Sequence, residues 1–460
     1  MSVDRCQLSS VTDYLQITMD ATMDREHRKI LRSWKMYDWA NSAFATTIMA
    51  AVLPEFYSSV AGATLDKTTA TSYWGYSNTI AMLIIAIAAP LLGAISDHSG
   101  AKKRFLSAFA CVGIVATGLL IGIGSGMWIV ASILYIFGRV GFGGGNIFYD
   151  SLLPHVAGPE EIDRVSAEGY AYGYLGGGIL LACNLFMIMH PNFFGIPNAA
   201  WASRISFLSV ALWWAIFSIP IFKNVAEPRV VIAKDESQNP LRAGYQRLRK
   251  TFKDIRRFKE LAKFLVAFWL YNDGIGTIII MAVIFGAEIG IGRTHLIGAI
   301  LMVQFIGIPF TVLFGRLPKR IGTKQSILLA LGIYAIITIL GYFMQKPIHF
   351  WILAFLVAMV QGGTQALSRS MYASMAPASR SAEFFGFYNV SSKFAGIIGP
   401  TLFGVVGQLT GTSRISIISI IFFFLAGASI LATVNHAQGI DAANVEDDQE
   451  RVRAGSTWPQ

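Results

Sequence analysis

Twelve stretches of roughly twenty apolar residues recur along this chain, each long enough to carry an α-helix through the hydrocarbon core of a bilayer. They fall near 36–57, 73–95, 105–124, 127–150, 168–189 and 201–222, then near 261–287, 294–315, 325–344, 349–373, 384–408 and 413–435. With 54% hydrophobic and only 14% charged residues, and a mean hydropathy of +0.53, the chain lacks the polar surface that a water-soluble fold of this size needs. The reading is therefore an all-α, multi-pass integral membrane protein. Residues 1–34 hold no apolar core of signal-peptide length, so the first span is expected to direct insertion.

Lysine and arginine set the orientation. One set of connections carries Arg28, Lys29 and Arg32, then Lys102, Lys103 and Arg104, then Arg316, Lys319, Arg320 and Lys324, and finally Arg380. The alternate set holds little beyond Lys67, Arg293, Lys346 and Arg414. Both termini are thus expected in the cytoplasm, and short loops suit a bacterial inner membrane. The formal net charge of +10 would suggest nucleic acid on a soluble protein. Here the basic residues flank apolar spans, which points to the anionic inner leaflet and to no nucleic-acid partner. Cys6, Cys111 and Cys183 show no pairing pattern, and the seven histidines show no metal-ligand spacing. Neither a metal nor a cofactor is expected.

The expected organisation is a cytoplasmic segment 1–34, a six-helix bundle 35–222, a basic linker 223–260, a second bundle 261–435 and a solvated, disordered tail 436–460. Within the linker, Asn239 and Pro240 suit a helix start. Leu241, Tyr245, Leu248, Phe252 and Ile255 then share one face, ringed by Arg242, Arg249, Lys253, Arg256 and Lys259. This pattern predicts an interfacial helix on the inner leaflet; a partner-binding helix is the competing reading.

The two bundles repeat each other. Tyr149-Asp-Ser-Leu-Leu-Pro154 ends the fourth span and Tyr372-Ala-Ser-Met-Ala-Pro377 the tenth, 223 residues apart. The same offset pairs Gly173 with Gly396 and Gly176 with Gly399. The connection Gly93-Ala-Ile-Ser-Asp97-His-Ser-Gly100-Ala-Lys102-Lys103-Arg104 has a counterpart in Gly315-Arg-Leu-Pro-Lys319-Arg320-Ile-Gly322-Thr-Lys324. Two parallel six-helix repeats follow.

The first of these loop strings resembles the loop motif of the major facilitator superfamily, with His98 where a base is usual and Lys319 at the acidic position of the second copy. Arg139-Val-Gly-Phe-Gly143-Gly-Gly145 resembles the superfamily's fourth-helix motif. Tyr37-Asp-Trp-Ala-Asn-Ser-Ala-Phe44, Tyr271-Asn-Asp-Gly274, Gly173-Tyr-Leu-Gly-Gly-Gly178 and Gln361-Gly-Gly-Thr-Gln-Ala-Leu-Ser-Arg-Ser370 are similar to one branch. That branch comprises the autophagy-related vacuolar amino-acid effluxers of fungi and their bacterial relatives, the unknown-major-facilitator family. The resemblance implies a major facilitator fold, a central cavity lined by helices 1, 4, 7 and 10, and a conformational latch at Gly93, Asp97, Gly100, Lys102 and Lys103.

Charges at bilayer depth cost roughly 2.5–3.5 kcal/mol each and mark function. Candidates for binding solute or a coupling ion are Asp273, Asn272, Arg139, Gln361, Gln304 and Asn41. A mid-membrane carboxylate can carry a proton, with Arg139 a conceivable partner for Asp273. The plainer reading is a carboxylate satisfied by a helix terminus. Arg139 in turn suits solute binding, proton movement or a tie between helices. Gln361, Gln365 and Arg369 share one face, as do Arg139, Gly143, Asn146 and Asp150. Asp38 and Asp150 lie at the depth of Arg369, so Asp38, Asp150, Arg369 and Gln365 are expected to gate the inner mouth, ordinary interfacial charges being the alternative. Lys393 suits either a buried role or a snorkelling one.

Three classes compete. A monomeric secondary transporter of a small polar solute, with amino-acid export favoured and protons as a coupling ion, fits the repeat and its mid-depth polar groups. Other solutes, such as a metal chelate, sugar or drug, stay open. A membrane enzyme would need a catalytic cluster, and none is visible. A receptor or scaffold on the same fold would be expected to lack cavity charges. No phosphate-binding loop for ATP occurs.

Overall fold

Backbone polar groups have no water to bond in hydrocarbon, so apolar spans of this length become helices. The structure, a computed structural model, describes residues 4–228, 245–246, 249, 255–394 and 398–454, and no β-strand occurs among them. The first six spans are α1 (Asp4–Ala43, continuing through Phe44–Ala51, Leu53–Phe56 and Tyr57–Ala61), α2 (Lys67–Ser99), α3 (Lys102–Leu119), α4 (Trp128–Ser151), α5 (Ile162–Met189) and α6 (Ala199–Asn224). The second six are α7 (Lys259–Glu288), α8 (Arg293–Arg316), α9 (Thr323–Tyr342), α10 (Pro347–Met375), α11 (Ser381–Phe394 and Ile398–Thr410) and α12 (Ser413–Ser419 and Ile421–Ala432). Ten of these are long and apolar enough to cross a membrane alone, and α1 makes an eleventh when its two arms, bent by 41°, count as one span. Large apolar side chains point outward, among them Ile87, 80% exposed, and Leu409, 81% exposed. Such a surface belongs in lipid.

The bend in α1 has a local reason. In α1, Pro54 has no N–H and its ring crowds the carbonyl four residues back. The ladder there shifts to five-residue bonds, Val52 N–H to Thr47 O at 2.8 Å and Gly62 N–H to Tyr57 O at 2.7 Å, and the helix bends. The span expected over 384–408 is helical over Ser381–Phe394 and Ile398–Thr410, and 395–397 lie outside the described residues.

The packing has a pseudo-twofold pattern. In the first half α1 packs on α5 and α6, α3 on α4 and α6, and α2 on α4. In the second, α7 packs on α11 and α12, α9 on α10 and α12, and α8 on α10. Every pair is reproduced six helices later. Between halves α2 meets α11 and α5 meets α8, while α4 meets α11 and α5 meets α10. These too are exchanged by the same operation.

One expectation needs correcting. The tail 436–460 was expected to be solvated and disordered, but His436–Ala454 forms a further helix, α13, packed against α10 and α7. Its carboxylates find partners on the loop before α11. Asp447 accepts from the backbone N–H groups of Ala378 and Ser379, both at 2.9 Å, and Glu446 lies 3.4 Å from the buried Arg380. Most of the predicted interfacial helix, including Leu241, Leu248 and Phe252, lies outside the described residues; Tyr245 is exposed.

Candidate functional site

At the face bearing α13, here the terminal face, ion pairs and hydrogen bonds join the halves. Four-residue spacing puts Gln361, Gln365 and Arg369 in a row along α10, all on the central cavity. At the bottom of that row Arg369 is 2% exposed. Its guanidinium reaches Asp38 of α1 at 3.2 Å and Asp150 of α4 at 3.1 Å. It also donates to Ser166 of α5 twice, through Nε to Oγ at 3.0 Å and through Nη2 to the carbonyl at 2.9 Å. The rings of Trp34, Tyr149 and Tyr170 lie 4.9, 5.6 and 4.4 Å from its central carbon. Buried charge of this kind is tolerable only when every donor is matched.

Local sequence builds the socket. Trp34 stacks on Tyr149 at 4.5 Å and donates to that residue's carbonyl at 3.1 Å, while the Tyr149 hydroxyl donates to Asp38 at 2.7 Å. Gly169 makes the space: a Cβ there would stand 2.6 Å from Asp38 Oδ2 and 3.0 Å from Arg369 Nη2.

Beyond the socket, away from the terminal face, opens a cavity of about 660 Å³. Asn41, Asn272, Gln304, Gln361 and Gln365 line it, with Asp38, Asp150 and Arg369 at its floor. Asn41 donates to Asn146 at 2.6 Å. Asn146, Tyr170, Tyr174 and Asn389 join the lining. Toward the opposite face the walls turn apolar, with Met281, Phe285, Ile300 and Leu353.

Asp273 and Arg139 are placed elsewhere, and nothing brings them together. Asp273, 1% exposed, turns to α11, where its Oδ2 accepts the Gly399 N–H at 3.0 Å. A Cβ on Gly399 would stand 1.9 Å from Thr277 Oγ1, which shows how closely α7 and α11 approach. Arg139 stays within the first half, donating to Met49 Sδ at 2.8 Å near the ring of Phe142.

The loop after α2 ties the halves at the terminal face. Asp97 accepts the backbone N–H groups of Ala382 at 3.2 Å and Glu383 at 2.8 Å, at the start of α11, and pairs with Lys102 at 3.0 Å. Lys102 donates to Ser381 at 2.7 Å. Gly93 is required here: a Cβ would lie 2.2 Å from the Ala382 carbonyl oxygen. Gly100 ends α2 at φ +61°. Lys103 serves the first half alone, donating to the Phe222 carbonyl at 2.9 Å. Its backbone N–H bonds Glu227, whose carboxyl burial pushes upward from its ordinary range. In the second copy of the loop, Lys319 is exposed; α5 supplies the acid instead, as Asp163 accepts from Thr323 at 2.7 Å and from Ser370.

Sequence reasoning missed Trp34, Ser166 and Tyr170 around Arg369. Tyr170 stands one helical turn from Ser166, and that spacing was the available signal.

Residues 26–162 and 159–444 match the family described as vacuole effluxer Atg22-like. The MFS-type transporter YxiO of Bacillus subtilis is 38% identical over 435 residues, covering 93% of this chain and 99% of the relative. Autophagy-related protein 22 of Yarrowia lipolytica is 24% identical over 426 residues, covering 74% of this chain and 71% of the relative. Among solved structures, the proton:xylose symporter XylE superposes with a TM-score of 0.70 at 14% identity, over 92% of this chain and 99% of that one. The Escherichia coli fucose:proton symporter FucP gives 0.67 at 11% identity, over 89% and 98%. At these identities the two symporters speak for the fold alone.

Proposed function

The chain belongs to the Atg22-like family of the major facilitator superfamily, and from that premise we propose that it moves an amino acid or similar small polar solute by rocking its two halves about the cavity. It is a multi-pass membrane transporter rather than an enzyme. The observation that carries the proposal is the amide-lined cavity whose floor is an arginine of one half held by two aspartates of the other. Carboxamides offer donors and acceptors together, which suits a zwitterion. A receptor or scaffold has no need of a polar cavity with an interhalf ion pair beneath it.

In this reading Arg369, Asp38 and Asp150 form the inner gate with Gln365 above them, and the Asp97–Lys102 loop is the latch that holds it shut. Asn41, Asn272, Gln304 and Gln361 bind solute. Opening separates Arg369 from Asp38 and Asp150, so these carboxylates are the groups whose protonation would follow the gate, and they replace Asp273 as the candidates for proton coupling. Both termini face the cytoplasm of a bacterial inner membrane, and export is the favoured direction.

The test is counterflow and pH-gradient-driven flux of labelled amino acids in proteoliposomes. Protein-dependent exchange is expected, with Asp38→Asn reducing gradient-driven accumulation by roughly tenfold or more, the scale of a lost buried charge pair. No protein-dependent flux of any amino acid would refute the reading. Orientation is checked separately: a cysteine at Lys346 should label from outside and one at Glu227 should not.

A further inference from the structure

The socket around Arg369 has a property that a simple gate does not need. Every group that holds the guanidinium belongs to the first half: Asp38 on α1, Asp150 on α4 and Ser166 on α5, with the rings of Trp34, Tyr149 and Tyr170. The acceptors surround a planar, forked donor. Nη1 faces both carboxylates, Nη2 faces Asp38 and the Ser166 carbonyl, and Nε faces the Ser166 hydroxyl. Aromatic faces close to the central carbon suit a delocalised cation better than a hydrated ammonium. The socket is stiffened from behind by the Trp34–Tyr149 stack and the Tyr149–Asp38 bond, none of which involves Arg369. It also borders the solute cavity, since Asp38, Tyr149, Asp150 and Tyr170 all line that space.

We propose that this first-half socket is a binding subsite for a guanidinium group on the transported solute, with Arg369 as its built-in occupant when the terminal face is shut. The inference rests on the alternating-access reading above. When the halves part at the terminal face, Arg369 leaves with α10 and the first half keeps two carboxylates and three rings arranged around the vacated place. A solute guanidinium entering there restores the missing cation, and its carboxylate meets the withdrawn Arg369 in the bidentate manner that arginine favours. Arginine-like solutes and Arg369 therefore compete for one place, which couples loading to opening.

Two measurements on the full chain test this. First, thermal unfolding of purified Arg369→Ala is followed with ethylguanidinium, with ethylammonium and with neither. Ethylguanidinium should raise the Tm of Arg369→Ala clearly more than ethylammonium does, and should have no effect once Asp38→Asn and Asp150→Asn are added. An unchanged Tm in folded Arg369→Ala would overturn the proposal. Second, should that variant not fold, wild-type counterflow decides. Agmatine and ethylguanidinium should inhibit exchange of labelled L-arginine, and Tyr170→Ala should weaken that inhibition roughly tenfold, the equivalent of removing one aromatic face from a cation in a desolvated site. Exchange of L-leucine that neither L-arginine nor ethylguanidinium inhibits would overturn the subsite while leaving the transport reading intact. Absence of exchange for every solute would refute transport itself, and with it the alternating-access reading on which the subsite rests.

Discussion

Asp273 shows how much a single residue reveals without its surroundings. A carboxylate at mid-span was legible as costly and therefore purposeful, because nothing in hydrocarbon solvates it. Which purpose depended on the Gly399 N–H of α11 lying within its reach, and an apolar run with glycines does not announce that. Asp273 supplies the acceptor for that N–H at 3.0 Å. Asp273→Ala should therefore destabilise the protein by about 1–3 kcal/mol, the range for a buried N–H left without its acceptor. Asp273→Asn keeps an oxygen for Gly399 and should lose less than half of that, with transport retained. Thermal unfolding and counterflow of both variants check this; a well-folded Asp273→Asn that cannot accumulate solute would return the coupling role to Asp273. Arg369 was legible for the opposite reason. Its partners Asp38 and Asp150 share its depth, and charges at one depth in neighbouring helices seek each other. The rings and Ser166 that complete the socket carry no charge, and so gave no such warning.

At the scale of elements, the apolar spans were readable because length and hydropathy suffice to define them, whereas α13 was not. Its composition is that of a solvated tail, and its order comes from Arg380 and from the amides of Ala378 and Ser379, more than 60 residues upstream. The helix thereby holds the loop that leads into Ser381, Ala382 and Glu383, the residues of α11 that bond Asp97 and Lys102. His436 at its start bonds Ser374 at 2.8 Å, and burial lowers its pKa from the ordinary 6.5. A histidine with a depressed pKa binds its proton more readily when released. Docking of α13 should thus be strongest above the ordinary histidine range and should weaken as pH falls through about 6.5 and below. Amide exchange of 436–454, corrected for intrinsic rate, should rise between neutral and mildly acidic pH. His436→Gln should flatten that rise; a rise that persists unchanged would assign it to the acidic side chains of α13.

For the whole molecule, the pairing of helices six apart means that two similar halves meet along two similar seams, α2 with α11 and α5 with α8. The seams differ in chemistry. At the first, Asp97 caps α11 and Gly93 lets the backbones touch; at the second, the corresponding loop position is the exposed Lys319. Gly93→Ala places a Cβ 2.2 Å from the Ala382 oxygen, so the seam must part. The variant should fold, yet a cysteine at Ser381 should react faster with a membrane-permeant thiol reagent than in the parent protein. Equal reactivity would show that α2 yields without opening the face.

The tightness of that seam also sets what a solute meets on arrival from the terminal side. Only molecules whose face has already parted can receive it, so the dissociation constant observed from that side equals the intrinsic one divided by the fraction open. Each tenfold bias toward the shut form, about 1.4 kcal/mol, then makes the protein look tenfold weaker from one side of the membrane and leaves the other side unaffected. Two faces of one transporter would thus report different affinities for the same solute with no change in any group that touches it.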